Sequence, residues 1–173
     1  MKTLILYSSR DGHTRKIAYF IAKNINQSDL CEIKDLHNNL NINLHKYQRI
    51  VIGASIRYGY FSIKFYKFIK NKMNDLNTIP SAFYCVNLIA RYSRYCTPDT
   101  NLYTKKFLKS TSWNPKISAV FAGALQYSKY NIYIKILMYF FMKIIKNKIS
   151  LKDYIEFTNW NQVKKFSGYI SKL

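Results

Sequence analysis

Seven residues near the N-terminus, Ser8-Ser-Arg-Asp-Gly-His-Thr14, have the composition of a loop that holds a phosphate. Hydroxyls at Ser9 and Thr14 flank Gly12, which permits a tight turn. The run leads into an amphipathic stretch, so its backbone N–H groups belong to a helix start, where aligned donors and the helix dipole suit a dianion. The same residues also read as an ordinary turn with Asp11 or Thr14 capping the helix. The spacing matches neither GxxxxGK followed by Ser or Thr nor GxGxxG, which favours a mononucleotide over ATP or NAD. Two other segments carry usable chemistry, Ala54-Ser-Ile-Arg-Tyr-Gly59 and Val86-Asn-Leu-Ile-Ala-Arg91. Tyr58 is suited to stacking on a flat ring while Gly59 lets backbone pass close by, and Asn87 is suited to hydrogen-bonding a ring edge. Arg57 and Arg91 match carboxylates or ring oxygens, because guanidinium groups pair bidentately.

These loops need elements to hold them, and the apolar pattern supplies strands and helices in alternation. Thr3 to Ser8 reads as a buried strand and Thr14 to Lys23 as a helix with Ile17, Phe20, Ile21 and Ile25 on one stripe. Leu30 to Leu36 alternates as an edge strand does, and Tyr47 to Ile56 reads as a central strand. Phe61 to Asn74 has helical spacing, Ile79 to Leu88 is a fourth strand and Asp99 to Lys109 a weaker helix. Lys116 to Leu125 is a fifth strand, and Asn159 to Lys172 closes the chain as a helix with Trp160, Val163, Phe166 and Ile170 inward. Alternation of this kind implies parallel strands joined by right-handed crossovers, with helices on both faces. The fold expected is α/β and flavodoxin-like, with sheet order 2-1-3-4-5, and the three loops then meet at the carboxyl ends of the central strands.

Composition sets outer limits. A chain of 173 residues with 49% hydrophobic residues is expected to fold as a single domain, residues 1–173. Its formal charge of +20 suits an anionic partner, although part of it fits a drift toward Lys, Asn, Ile and Tyr at the expense of Gly, Pro and Ala. Cys31, Cys85 and Cys96 show no metal-ligand spacing, and with no secretory leader the expected compartment is the reducing cytoplasm. Lys135, Lys143 and Lys146 interrupt the most hydrophobic region, so no membrane span is expected. The basic residues are spread along the chain without a recognised nucleic-acid motif, which argues against a nucleic-acid-binding module.

The segments MKTLILYSSRDGHTRKIA, RIVIGASIRYGYF, PSAFYCVNLIAR, FAGALQY and YIEFTNW closely resemble the bacterial flavodoxin-like, quinone-dependent protoporphyrinogen dehydrogenases of haem synthesis. The resemblance runs over nearly the whole chain. It implies FMN as cofactor, with Ser9, Arg10, Asp11, Gly12, His13 and Thr14 around its phosphate. Ser55, Ile56, Arg57, Tyr58 and Gly59, with Tyr84, Val86, Asn87, Leu88, Ala90 and Arg91, would then flank the isoalloxazine. It also implies six-electron oxidation of protoporphyrinogen IX to protoporphyrin IX, with a membrane quinone, menaquinone or ubiquinone, as acceptor. Arg57, Arg91 and Arg94 are candidates for the propionates, and no side chain stands out as a general base or metal ligand. The alternative is a flavodoxin-type electron carrier or another FMN-dependent quinone reductase; carriers of that kind are usually acidic, and this chain is basic.

Residues 126–150 form an insert between the fifth strand and the last helix, apolar around most of its girth with lysines late. Such a segment suits a membrane surface, a quinone contact or a wall over the tetrapyrrole, the alternative being a buried packing helix; the resemblance favours the former, since such an insert is typical of the family. The expected location is the inner face of the cell membrane, peripherally bound, with a homo-oligomer possible. The chain departs from the family at Gln126, where a basic residue is usual, at Ser128, where proline is usual, and at Lys146 to Ile149, where a Gly-containing turn is usual.

Overall fold

The computed structural model describes residues 1–26, 28–126 and 154–173. Five parallel strands form the sheet: β1 (Lys2–Ser8), β2 (Leu30–Asp35), β3 (Arg49–Ser55), β4 (Ser81–Asn87) and β5 (Ile117–Ala122), in the order β2-β1-β3-β4-β5. The order and the edge position of β2 are as the sequence implies.

Alternate residues of each strand face opposite ways, so the sheet has two apolar surfaces. Ile5, Val51, Ala82 and Tyr84 pack with Ile17, Ala18 and Ile21 of α1 (His13–Asn24) and Val163, Phe166 and Ile170 of the last helix, α5 (Trp160–Ile170). Leu4, Leu6, Ile50, Ile52, Phe83 and Cys85 pack on the other side with Phe65, Phe68 and Ile69 of α2 (Ile63–Asn71), Leu76 of α3 (Met73–Thr78) and Phe107 of α4 (Leu102–Thr111).

Two elements differ from the sequence reading. The helix expected over 61–74 is two helices, broken at Lys72, whose φ of −106° and ψ of 11° leave the α region. Lys72 N–H still closes on the Phe68 carbonyl, and the bend keeps Leu76 buried on the stripe of Phe65, Phe68 and Ile69. The strand expected over 116–125 is interrupted at Gly123. Its N–H donates to the Asn87 carbonyl while its own carbonyl accepts from Phe157 N–H, and a Cβ there would lie 3.3 Å from Val86 Cγ1. Beyond it, β6 (Ala124–Gln126) pairs antiparallel with β7 (Tyr154–Glu156). Gln126 and Tyr154 are thus held side by side, and residues 127–153, which include nearly all of the expected insert, lie outside the described residues. Among the described residues no helix is long and apolar enough to cross a membrane.

Candidate flavin site

Strand β1 delivers the chain at Ser8, and α1 begins five residues later at His13. Gly12 sits between them at φ +91°, in the left-handed region that glycine enters without strain. Gly12 N–H donates to Ser9 Oγ at 3.0 Å, which closes the turn. The helix start carries no side-chain cap and no acidic residue in its first turn. The alternative of a cap from Asp11 or Thr14 is therefore not what forms. An α-helix leaves its first N–H groups without intrahelical partners, and an uncapped start beside Ser9 and a buried Thr14 has the donors and dipole a phosphate needs.

Asp11 instead reaches across to the second loop, where Arg57 Nη1 lies 2.6 and 2.7 Å from its two carboxylate oxygens. Arg57 also packs its guanidinium over the Tyr58 ring, 5.2 Å from the centroid. Its observed engagement ties two loops together. Residues Arg57 to Tyr60 form a two-residue hairpin turn, with Arg57 N–H donating to the Tyr60 carbonyl at 3.0 Å and the reverse bond at 3.1 Å. Both central residues have positive φ, Tyr58 at 52° and Gly59 at 85°, as primed turns require. An aromatic residue rarely adopts this conformation, and here it carries a ring that is 58% exposed to the tip of the turn. Ser55 and Ile56 lead into the turn half-buried, with Ser55 Oγ donating to the Ser8 carbonyl at 3.3 Å.

The third loop departs from expectation in two side chains. Tyr84 is fully buried; its hydroxyl donates to the Thr14 carbonyl at 3.1 Å, so it braces the first turn of α1 from beneath instead of lining a ring site. Asn87 is buried too, its Oδ1 accepting from Ala90 N–H at 3.0 Å and its Nδ2 3.3 Å from Cys85 Sγ. It caps the 3-10 turn Leu88–Arg91, because a strand that ends in a turn leaves N–H groups that a short amide side chain satisfies. Val86 and Ala90 are buried, and Leu88 is half-buried. Arg91 lies over the rings of Tyr92 and Phe157, 4.7 and 5.3 Å from their centroids. Arg94 stands apart on the turn Ser93–Tyr95, exposed and stacked on Tyr95.

A polar lock beside the first loop was not visible in the sequence. His13 turns its imidazole from the loop toward the strand that returns from the insert, with Nε2 2.6 Å from Thr158 Oγ1 and Nδ1 3.2 Å from the Tyr154 hydroxyl. Thr158 donates its own proton to the Ala122 carbonyl, so the neutral ring carries its proton on Nε2; Tyr154 gives its proton to Glu156, so Nδ1 only lies beside the phenol oxygen. Glu156 completes the lock with Lys16 Nζ at 2.7 Å, the Tyr154 hydroxyl at 2.7 Å and the Trp160 indole N–H. His37 is likewise unforeseen; its Nε2 lies 3.0 Å from Ser8 Oγ. Both contacts join residues far apart in sequence, and no local spacing announces them.

Burial pushes the His13 imidazole below its ordinary value of 6.5, with Glu156 opposing and Lys16 adding to the shift. The folded state thus favours the neutral ring, and the unfolded chain binds the extra proton first. The stability this contributes is complete above 6.5 and is lost as pH falls through the lowered folded value. Urea unfolding midpoints measured from pH 7 downward should fall in the wild-type chain over that window, and His13→Gln should flatten that part of the curve.

The flavodoxin domain family model matches residues 4–151. Protoporphyrinogen IX dehydrogenase (quinone) of Escherichia coli is 40% identical over 174 residues, covering 100% of this chain and 96% of its own. The protein of the same name from Leishmania major is 38% identical over 99% of this chain and 75% of its own. Among solved structures, oxidised flavodoxin 1 from Bacillus cereus superposes with a TM-score of 0.56 at 15% identity, covering 99% of this chain and 98% of that one, a likeness of fold alone. A flavin is the cofactor that this fold and family indicate. By domain and by full-length identity, the chain belongs to the flavodoxin-domain family and, within it, to the protoporphyrinogen IX dehydrogenases (quinone).

Proposed function

We propose that the chain oxidises protoporphyrinogen IX to protoporphyrin IX with FMN as cofactor and a quinone as acceptor. The observation that carries the reading is the uncapped, glycine-led start of α1 facing the Arg57–Tyr60 turn, on a chain 40% identical to a dehydrogenase of that name over its full length. When bound, FMN would supply two-electron redox chemistry between the tetrapyrrole and the quinone.

The chain's own residues hold and orient. The N–H groups at the start of α1, with Ser9 and Thr14, take the phosphate, and Gly12 keeps the approach open, since nothing lies within 4 Å of a Cβ placed there. Tyr58 stacks on the ring, and Arg57 fixes the turn against the phosphate loop through Asp11. Arg57, Arg91 and Arg94 attract the propionates. Because quinones are lipid-soluble and the net charge is +20, the chain works at the anionic inner face of the cell membrane, which the insert touches.

Phosphate recognition is tested by titrating the flavin-free protein with FMN and with riboflavin; FMN should bind far more tightly, and equal affinities would remove the loop's assigned role. Tyr58→Asn separates site from scaffold. Asn tolerates positive φ, so folding stability should rise by about 0.5–1 kcal/mol. FMN should bind more weakly by the roughly 1 kcal/mol of a lost ring contact, or about fivefold in Kd.

A further inference from the structure

Behind the second loop, a cavity of about 600 Å³ opens between the Arg57–Tyr60 turn, α2 and α4. Its size is that of a small-molecule site. Phe61 and Phe107, with centroids 4.6 Å apart, floor it, and Phe107 continues into the sheet core through Phe83 at 5.4 Å. Tyr60, Tyr66 and Tyr103 wall it from three different elements. Lys106 is the one charged side chain among the described residues that line it.

We propose that this cavity receives the headgroup of the quinone acceptor, an inference that rests on the function proposed above. A quinone ring is flat and apolar and presents two carbonyl oxygens that need donors. Aromatic walls meet the ring faces, while the Lys106 ammonium and the tyrosine hydroxyls supply donors without any acidic side chain to repel an electron-rich product. The tetrapyrrole fits less well, since two propionates would have to share one lysine. Position favours the acceptor also. Ile56 and Gly59 line the cavity and belong to the loop assigned to the flavin ring, and a Cβ on Gly59 would lie 3.9 Å from Tyr103 Cε1. One turn of chain therefore separates acceptor from flavin. Each quinone gains two electrons and two protons and leaves as the hydroquinone. The electrons come from the tetrapyrrole by way of the flavin, and the protons match those the tetrapyrrole releases.

The test uses the FMN-loaded full chain and the soluble probe 2-methyl-1,4-naphthoquinone. Ser110→Trp fills the cavity from α4, one turn beyond Lys106, and Lys106→Met removes the cation at an exposed position, where folding is not at stake. Calorimetric binding of the probe to the oxidised protein and its KM in turnover should both weaken about tenfold or more, with FMN content and the KM for protoporphyrinogen unchanged. Unaltered probe binding and KM in both variants would overturn the assignment, as would a rise in the protoporphyrinogen KM instead. A wild-type protein that binds the probe in the cavity yet makes no porphyrin would refute the proposed function and leave the cavity assignment standing.

Discussion

Gly53→Ala is expected to cost the protein both stability and flavin affinity, although the substitution adds a single methyl group in the middle of β3. A Cβ at this position would lie 1.9 Å from Tyr84 Cζ and 2.2 Å from its hydroxyl oxygen, distances no packed structure accommodates. The Tyr84 ring has little room to yield, being fully buried against Phe121 and Phe166 at centroid distances of 6.0 and 6.2 Å. Overpacking of this kind costs about 1–3 kcal/mol or more, which outweighs the 0.4–1 kcal/mol that a Gly→Ala change returns through the unfolded chain. If the ring moves, its hydrogen bond to the Thr14 carbonyl goes with it, and the first turn of α1 loses its brace. FMN affinity should fall together with the unfolding midpoint. Tyr84→Leu in the same chain should recover part of the loss, because the two substitutions remove and fill the same space and so are not additive. Equal midpoints for wild type and Gly53→Ala would show that the ring is not where the packing puts it.

Arg49→Met should destabilise at least as much while leaving the site intact. Arg49 opens β3 at the opposite end of the sheet from the loops, and its side chain is 0% exposed. Its guanidinium pairs with Asp29, donates to Thr3 Oγ1 at 3.1 and 2.9 Å and bonds the Ile170 carbonyl, so one side chain joins β1, the approach to β2 and the end of α5. Removing one partner of a buried ion pair costs at most about 3–5 kcal/mol; here the Met1 ammonium, 2.8 Å from Asp29 Oδ1, still compensates the carboxylate in part, while the Thr3 hydroxyl and the Ile170 carbonyl lose their charged donor. FMN affinity, measured at a temperature where the variant is folded, should not change. A loss of FMN affinity in folded Arg49→Met would mean that the two ends of the sheet are coupled, contrary to the account.

The contrast between these two positions shows what the sequence makes legible. β1, β3 and β4 are short apolar runs ending in polar, glycine-containing or amide-bearing loops, so both the strands and the end that carries the loops can be read directly. Strand parity carries further: Tyr84 shares a face with Ala82 and Val86, which places its ring under α1 and away from the loop cluster. Asn87 was legible as a turn cap, since it precedes the 3-10 turn it closes. Other features depend on the folded whole. Nothing local in Lys72 marks the break between α2 and α3, which follows from keeping Leu76 on the buried side. Three-residue β7 is too short for periodicity to detect, and the His13 lock joins residues 145 positions apart. Arg57 reads in the sequence as a ligand for carboxylates and does bind one, but the carboxylate is Asp11 of the neighbouring loop.

The most direct measurement is anaerobic turnover of the FMN-loaded protein with protoporphyrinogen IX and a quinone, following porphyrin fluorescence and quinone reduction together. The account predicts porphyrin formation that depends on both FMN and quinone, with three quinones reduced for each porphyrin formed, as six electrons passed in pairs require. A protein that carries FMN and reduces quinone from other donors while producing no porphyrin would contradict it.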